Sequence, residues 1–535
     1  MLLTLALLTN AQAAPIVWPA GHTVPDAVAL HLTDAGLDKG AALVPAFIPT
    51  EPMDIPPMAE EGSFYSYSFS DGWVAFEVLG SDVQPGVDEL VVVATGNAWV
   101  NDAADPFMLT YDALLSDECP GYVSPFPWEA RIPFKFAVMS DKTVDVTIDH
   151  IDMTLDLTNE DIHLDCNITY LEMALDAFGY SLYGMIIDMA QGEMETQLQE
   201  QIPDLEAMLE DALNQARYDG TMAMGDITLH IKVEPHEINV TPAGLEYVLE
   251  GSVEGDTHHA CVAAWDEGFS TAWGSPVPAI ADDPAGTELG VLLSDDFTNQ
   301  ALYSLWAGGL LCYDLASGDP NSPVPVDGGM VGLLAGEAVG AVVNEDGPAI
   351  IRTVPSAPPV AKFDGGHDLD IVIDPLGLDL FAEVDYRMAR PLSVDLLVDA
   401  GTDLILDSAT GELKVVIDMG AGSVETRVVS NEFAPEATAQ IEAELGPKVI
   451  SLLEPLLGSF VGDMSFALPA FEGLGMTSLD ATAAGPDGDW LGLWATLGEV
   501  SYGAEGCSGG CSAVGSTALW WAALAGGVAI RRRRR

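Results

Sequence analysis

The chain carries the same order of segments twice: strands, then a long amphipathic helix, then strands again. In the first copy, apolar residues alternate with Asp and Thr between residues 140 and 170, which is typical of antiparallel strands with one buried face. Apolar residues then follow helical spacing from Leu182 to Leu213, where Pro203 predicts a kink or a split. Alternation returns from Ile227 to Val240. This order predicts long, half-buried strands together with one long helix.

The second copy lies in the C-terminal half of the chain. Alternation between Leu369 and Ile417 precedes a helical segment from Ile441 to Leu457, in which Pro447 and Pro455 predict a bend or a break. Strand-like sequence then continues to about residue 500. The repetition predicts an α+β protein with a duplicated module. Two stretches rich in Gly, Pro and Ala are interpreted as an inter-module connection and as loops with an insertion: residues 255–287 and 314–366.

The charge balance is strongly acidic, because 83 Asp and Glu are set against 18 Lys and Arg, for a formal net charge of −65. Nucleic-acid binding is excluded, since it takes clustered bases to neutralise phosphate, and docking on anionic lipid through a basic patch is disfavoured for the same reason. With 49% apolar residues, the chain can still form a large core. We interpret the acidity as an adaptation to solubility or to a salty medium, since no loop has the ligand spacing of a calcium site.

Both ends of the chain carry targeting signals. Residues 1–14 form a short apolar run that ends in small residues, which predicts a cleaved secretory signal. At the other end, Cys507 and Cys511 precede an uncharged stretch, 512–530, and the run Arg531–Arg535. The stretch is long enough to span a membrane, with the arginines in the cytoplasm. This tail resembles the MYXO-CTERM class of sorting tails, which are processed near the Cys. It predicts a protein of the cell envelope or outer surface, or one secreted after processing; the alternative is a plain single-pass anchor.

Export permits disulfides, and the body of the chain holds four cysteines: Cys119, Cys166, Cys261 and Cys312. Four cysteines allow three pairings, and proximity in the sequence favours Cys119 with Cys166 and Cys261 with Cys312. The motif His258-His259-x-Cys261 is a fragment of a zinc site that no second cluster completes. No metal and no cofactor are therefore predicted.

Three segments resemble bactericidal/permeability-increasing protein and its lipid-transfer relatives. They are the opening segment Val28–Asp38, the aromatic stretch Phe64–Phe69 and, most clearly, Leu289–Leu310. In the family, the last of these lies at the start of the second barrel, after a Pro-rich connection like the one at residues 276–284 here. The resemblance covers about residues 30–500 in the family's order.

The resemblance implies two tandem TULIP-type modules in a boomerang-shaped pseudo-dimer. In each module a highly curved antiparallel sheet wraps a long helix and leaves an elongated apolar pocket for the acyl chains of phospholipids or other lipids. The predicted division of the chain is a signal peptide 1–14, an N-terminal module 15–260, a connection 261–288, a C-terminal module 289–500, a linker with the sorting motif 501–511, and a transmembrane span with the arginine cluster 512–535.

Two departures limit what carries over from the family. Its antibacterial members bind lipopolysaccharide through a basic tip, whereas this chain has no basic cluster outside Arg531–Arg535, so killing through lipopolysaccharide is not expected. The family's disulfide joins a strand to the long helix, but no Cys lies between residues 171 and 217. Cys119 is therefore the more available partner of Cys166.

The leading functional hypothesis is an exported protein that binds or shuttles lipids, with a phospholipid or another acyl-chain lipid as its partner. The alternative is a ligand-free structural or adhesive surface protein. An enzyme is not predicted, because no nucleophile elbow, zinc-protease motif or phosphate-binding loop occurs. A single apolar helix residue is more often core than ligand contact, so the candidates count only as sets. The candidate lipid contacts lie on the two long helices: Leu182, Ile186, Met189, Leu198, Ile202 and Leu205 on the first, and Ile441, Leu445, Val449 and Leu453 on the second.

Overall fold

The structure of the chain is a computed structural model in which curled antiparallel sheets dominate and helices are few. The described residues are 22–42, 44, 52–61, 66–112, 116–166, 184, 187, 191–192, 194–196, 199–224, 227–262, 275–319, 325–408, 410–420, 422–461, 465–467 and 474–500.

The first half of the chain contains fourteen of the described strands and two of the described helices. In chain order they are β1 Val24–Thr33, α1 Asp34–Ala41, β2 Met53–Ile55, β3 Met58–Glu61, β4 Ser66–Ser70, β5 Gly72–Pro85, β6 Leu90–Val100, β7 Phe107–Asp112, β8 Ser116–Val138, β9 Val144–Thr147, β10 Asp152–Leu155, β11 Ile162–Leu164, α2 Ile202–Asn214, β12 Tyr218–Met224, β13 Ile227–Thr241 and β14 Gly244–Gly255.

A ten-stranded sheet lies in this half, and the order of its main strands is β2-β5-β6-β8-β7-β4-β3. The short strands β9, β10 and β11 pair with successive stretches of β8, which is 23 residues long. Their burial confirms the predicted alternation, since Val144 and Val146 are buried while Asp145 and Thr147 are exposed. The strands are shorter than the sequence predicts, because each pairs with only part of the one long strand.

Helix α2 begins where the sequence predicts an interruption. Pro203 occupies its first turn, where its missing N–H costs no hydrogen bond. The helix buries Ala212 and Leu213 at its C-terminal end. The predicted split of the long helix at Pro203 is therefore confirmed.

The second half of the chain repeats the mixture of strands and helices. Its described elements are β15 Leu289–Ser294, α3 Asp295–Ala307, β16 Asp314–Ala316, α4 Gly328–Ala335, α5 Glu337–Gly340, β17 Ala349–Pro355, β18 Val360–Lys362, β19 Leu369–Val384, β20 Arg387–Asp407, β21 Glu412–Asp418, β22 Val424–Ser430, α6 Thr438–Val461, β23 Ser465–Ala467, β24 Leu474–Ala484 and β25 Trp490–Glu499.

Two expectations for this half need correction. Of the bend or break predicted for the second helix, the break is wrong, because α6 continues through Pro447 and Pro455 and the packing of its buried residues outweighs the lost backbone hydrogen bonds. Residues 314–366 are also more than loops with an insertion, since they contribute α4, α5 and strands of an eight-stranded sheet. Although this stretch is rich in Gly and Ala, it forms the two helices α4 and α5. They are joined by Gly336, whose φ of 87° is readily adopted by glycine.

A seven-stranded sheet joins the two halves, with the order β12-β13-β14-β1-β15-β25-β24. Its central pair is β1 with β15, which places His31 opposite Gly290. A side chain at Gly290 would collide with the ring of Trp494, so a glycine is required at this close approach. Strands from both ends of the chain therefore form one continuous sheet.

A buried ion cluster lies at this junction. His31 is fully buried, with its Nδ1 3.0 Å from Oδ1 of Asp283 in the connection and its Nε2 3.3 Å from Oε2 of Glu246 in β14. Burial alone lowers the pKa of His31, but the hydrogen bonds and charges of the two carboxylates outweigh it, so the pKa is raised above its ordinary value of 6.5. His31 therefore ties the connection, through Asp283, to Glu246 of the central sheet.

Two disulfides confirm the pairings that sequence proximity favours. Cys119 in β8 is bonded to Cys166 just beyond β11, with a Cα–Cα distance of 5.1 Å. Cys261, beyond β14, is bonded to Cys312, beyond α3, with a Cα–Cα distance of 6.3 Å. The second bond thus links the end of the first half to the start of the second.

Within the described part of the chain, no helix combines the length and apolar character that crossing a membrane takes. The predicted signal peptide, the sorting residues Cys507 and Cys511 and the predicted span at 512–530 all lie outside the described residues.

Candidate functional site

An apolar cavity of about 240 Å³ lies in the N-terminal half, between the ten-stranded sheet and the helices α1 and α2. A methylene group takes up about as much space as a water molecule, roughly 30 Å³, so the cavity can accommodate about eight methylenes. Its wall has three parts: sheet residues Phe76, Val83, Leu90, Val92, Ala94, Trp128, Ala130, Ile132, Phe134 and Phe136; the α1 side with Leu32, Leu37, Gly40 and Val44; and Ile151, Gln201, Leu205, Met208 and Leu209.

Strand β8 supplies the largest share of the wall. Between Trp128 and Phe136 every second residue faces the cavity, and Glu129, Arg131 and Lys135 alternate with them. Successive side chains of a strand point to opposite faces, so the charged residues lie on the outer face of the sheet. The alternation of this one strand therefore separates a water-facing surface from an apolar interior.

Helix α2 is held against the sheet by hydrogen bonds from three of its side chains. Oε1 of Glu206 accepts from the N–H of Ile148 at 2.8 Å, and Oδ1 of Asn214 accepts from the N–H of Val144 at 2.8 Å. Glu210, one helical turn from both Glu206 and Asn214, accepts with its Oε1 from the N–H of Val146 at 3.2 Å. Residues four apart lie on one face of a helix, and every second N–H of a strand points to the same edge. Acceptors spaced by four in α2 therefore meet donors spaced by two along the strand. This contact fixes the face that carries Leu205, Met208 and Leu209 toward the cavity.

Helix α1 forms the opposite wall and is held by the inter-module connection. The hydroxyl of Thr33 accepts from the N–H of Gly36 as an N-cap and donates to the backbone oxygen of Thr287 at 2.8 Å. A Cβ at Gly36 would lie 2.0 Å from the backbone oxygen of Glu288, so only glycine allows this approach. Leu37 of the same helix faces the cavity. The cavity wall thus rests on the connection, next to the cluster around His31.

Polar groups are scarce in this lining. Within the described lining residues, the side-chain polar groups are the amide of Gln201 and the indole N–H of Trp128. The Trp128 N–H is buried and has no hydrogen-bond partner among the described residues, a condition that costs about 1–3 kcal/mol. The site can therefore take up an alkyl chain, and the two polar side-chain groups of its lining carry no charge.

The structure brings only part of the predicted lipid contacts of the first helix to this cavity. Leu205 lines it, and Ile202 is half-buried beside it against the apolar core. The other four predicted contacts lie outside the described residues: Leu182, Ile186, Met189 and Leu198. Sequence reasoning missed the wall formed by the sheet, although the alternation of residues 128–136 is a signal that could have revealed it.

The predicted contacts of the second helix lie in a packed core. Ile441, Leu445 and Val449 are buried in one apolar cluster with residues of β19, β20, α4 and α5. The space between α4, α5 and α6 is about 10 Å³, which is no more than a single water needs. Leu453 belongs to the same helix, but its side chain lies outside the described part.

The only potential metal-ligand cluster found among the described residues is His259 with Cys261 and Cys312. Both sulfur atoms are bonded to each other, so only the imidazole of His259 can bind a metal. The N–H of Cys261 donates to Nδ1 of His259 at 3.2 Å, which occupies one of the two ring nitrogens.

Comparison with known proteins bears on the fold. No protein-family model matches the sequence, and no curated protein matches it at a significant level. The solved structure of lipopolysaccharide binding protein is similar over 89% of this chain and 99% of that chain, with a TM-score of 0.52 and 12% sequence identity. The chain has the fold of lipopolysaccharide binding protein. The TULIP-type fold implied by the sequence resemblance is thereby confirmed.

Two further solved structures match with TM-scores that are too low to support a conclusion about this chain. P47 of Clostridium botulinum E1 covers 89% of this chain and 100% of its own, with a TM-score of 0.26 and 9% identity. Takeout 1 of Epiphyas postvittana covers 32% of this chain and 90% of its own, with a TM-score of 0.23 and 8% identity. At 12% identity, the similarity to lipopolysaccharide binding protein shows the fold and does not identify a ligand.

Proposed function

We propose that the protein is an exported lipid-binding protein that holds a phospholipid-like acyl chain in the cavity of its N-terminal module. The observation that carries the proposal is the cavity itself, about 240 Å³ in volume and lined almost entirely by apolar side chains. Burying about eight methylenes at about 0.8 kcal/mol each would contribute roughly 6 kcal/mol before ordering costs. The fold shared with a protein named for lipopolysaccharide binding, and the disulfides expected of an exported protein, support this function.

The proposal assigns the C-terminal module a different role. In the described part of its helix α6, Ile441, Leu445 and Val449 are buried in a packed core, which favours a structural part that positions the first module. This is the part of the chain to which the alternative, a ligand-free structural or adhesive surface protein, applies best. The C-terminal tail would tether the protein to a membrane or be removed by processing, and no catalytic activity is proposed.

A series of straight-chain alcohols from six to ten carbons tests the proposed function on the full chain. We expect Kd to fall by about fourfold for each added methylene up to about eight carbons, because burying each methylene stabilises the complex by about 0.8 kcal/mol, and to level off once the cavity is filled. Isothermal titration calorimetry measures both Kd and the negative heat-capacity change that accompanies apolar burial. If Kd is independent of chain length, the cavity does not take up alkyl chains and the proposal is wrong.

A further inference from the structure

The charge of the cavity lining bears on which lipids it accepts. Within the described residues, no Lys or Arg lines the cavity. The two nearest bases of β8, Arg131 and Lys135, lie on the outer face and form ion pairs with Glu129 and Asp149. Lys39 lies in the last turn of α1, and its Nζ is 3.9 Å from Oε1 of Glu288 in the connection. The bases around the cavity are therefore already paired with carboxylates.

The sequence around α2 is also without bases. No Lys or Arg occurs between Lys142 and Arg217, a stretch that contains α2. The residues around position 44 also contain none, from Gly40 to Glu60. These neighbouring segments therefore have no Lys or Arg that could pair with an anionic head group.

Carboxylates flank the polar end of the lining. Gln201 lies between Glu200 and Asp204, and both of these are exposed. Both carboxylates lie within three residues of Gln201 in the sequence, and with the net charge of −65 they make the surroundings of its amide unfavourable to an anion. The amide can instead hydrogen-bond to an ester carbonyl or to a hydroxyl, and neither of these groups carries a charge.

Resting on the proposed function, we propose that the cavity selects lipids that carry no net negative charge, with Gln201 as the residue that receives their polar group. Zwitterionic phospholipids and uncharged lipids such as diacylglycerol satisfy this condition. Phosphatidylglycerol and free fatty acids do not, because their charge would lose water without gaining a cationic partner.

Competition among four chain-matched lipids tests this selection on the full chain: phosphatidylcholine, diacylglycerol, phosphatidylglycerol and the free fatty acid. We expect the first two to bind at least about tenfold more tightly than the last two, which corresponds to about 1.4 kcal/mol. Equal or tighter binding of phosphatidylglycerol or the fatty acid would overturn the inference. If none of the four binds, the proposed function fails first and the selection fails with it.

Two variants, one at the N-cap of α2 and one on its exposed face, separate the effect of a charge in the cavity lining from the effect of net charge. Gln201→Lys places a base in the lining and should raise the relative affinity for the fatty acid by about tenfold. Ala207→Lys adds the same charge to the exposed face of the same helix and should leave the ranking of the four lipids unchanged. If both variants shift the ranking equally, the selection comes from net charge, and the assignment to Gln201 is wrong.

Discussion

Replacing Ala130 by Trp is expected to abolish tight lipid binding while leaving the fold intact. Ala130 is buried in β8 and lines the cavity between Trp128 and Ile132, so a large ring at this position would occupy the space of the alkyl chain. Excluding only three methylenes costs about 2.4 kcal/mol, which is about 50-fold in Kd. Titration with decanol, or with a phospholipid of matched chain length, measures the loss.

Ala137→Trp is the matched control for this variant. Ala137 lies on the same strand but is exposed, so its ring would project into solvent and Kd should stay within about twofold of the unmodified chain. Thermal unfolding of both variants checks that each is folded, because overpacking costs about 1–3 kcal/mol when no space is available. Undiminished binding by a folded Ala130→Trp variant would show that the lipid lies elsewhere.

His31→Ala is expected to lower the free energy of unfolding by about 3–5 kcal/mol, because it leaves two carboxylates facing each other without their cation. The side chain of Asp283 is only 3% exposed and that of Glu246 only 17%, so solvent screens them weakly. The loss should also loosen the connection that supports α1 and the cavity wall. Urea-induced unfolding at pH 6 measures it.

The pH dependence of this effect follows from the direction of the shifts. The pKa of His31 is raised in the folded state, so its contribution is fully present below pH 6.5 and is lost as the pH rises through the raised value. Burial raises the pKa of Glu246, but the hydrogen bonds of His31 and Asn239 lower it more, so this contribution is lost only as the pH falls below 4.5. The difference between the original chain and His31→Ala should therefore be largest between about pH 5 and 6.5.

An exposed histidine provides the control for the buried one. His230 pairs with Asp256 on the surface, where both side chains are about half exposed, and His230→Ala should cost less than about 1 kcal/mol. An equally small cost for His31→Ala, or a cost that does not change between pH 6 and pH 9, would contradict the role assigned to the cluster.

Local periodicity was sufficient to predict much of the fold. The alternation around Val144 and Ile162 predicts the strands β9 to β11, and the helical spacing from Ile441 to Val449 predicts α6. Pro203 marks the start of α2, because a proline in the first turn of a helix costs nothing. Pro447 does not interrupt α6, because tertiary packing of its buried face outweighs local propensity.

Contacts between distant parts of the chain could not be predicted in the same way. The cavity combines α1, β8 and α2, and no local pattern states that these elements meet. The cluster around His31 depends on Asp283, which lies 252 residues away in the sequence. A single histidine in a strand looks the same in sequence whether it is paired or solvated. The register of β1 with β14 places Glu246 opposite His31, and the path of the connection brings Asp283 to it.

The two helical stripes looked equivalent in sequence and differ in structure. Leu205 in α2 faces an open cavity, whereas Leu445 in α6 is fully buried by neighbouring side chains. Helices α4 and α5 pack on α6 and contribute to the cover over Leu445. Apolar spacing thus predicts that a helix face is buried, but not whether protein or ligand covers it.

Native mass spectrometry of the full chain, purified from a bacterial host without detergent, tests the central claim most directly. We expect an added mass of one acyl-chain lipid per chain, released by organic solvent and absent from the Ala130→Trp variant. A bare protein mass that remains unchanged after incubation with phosphatidylcholine vesicles would contradict it.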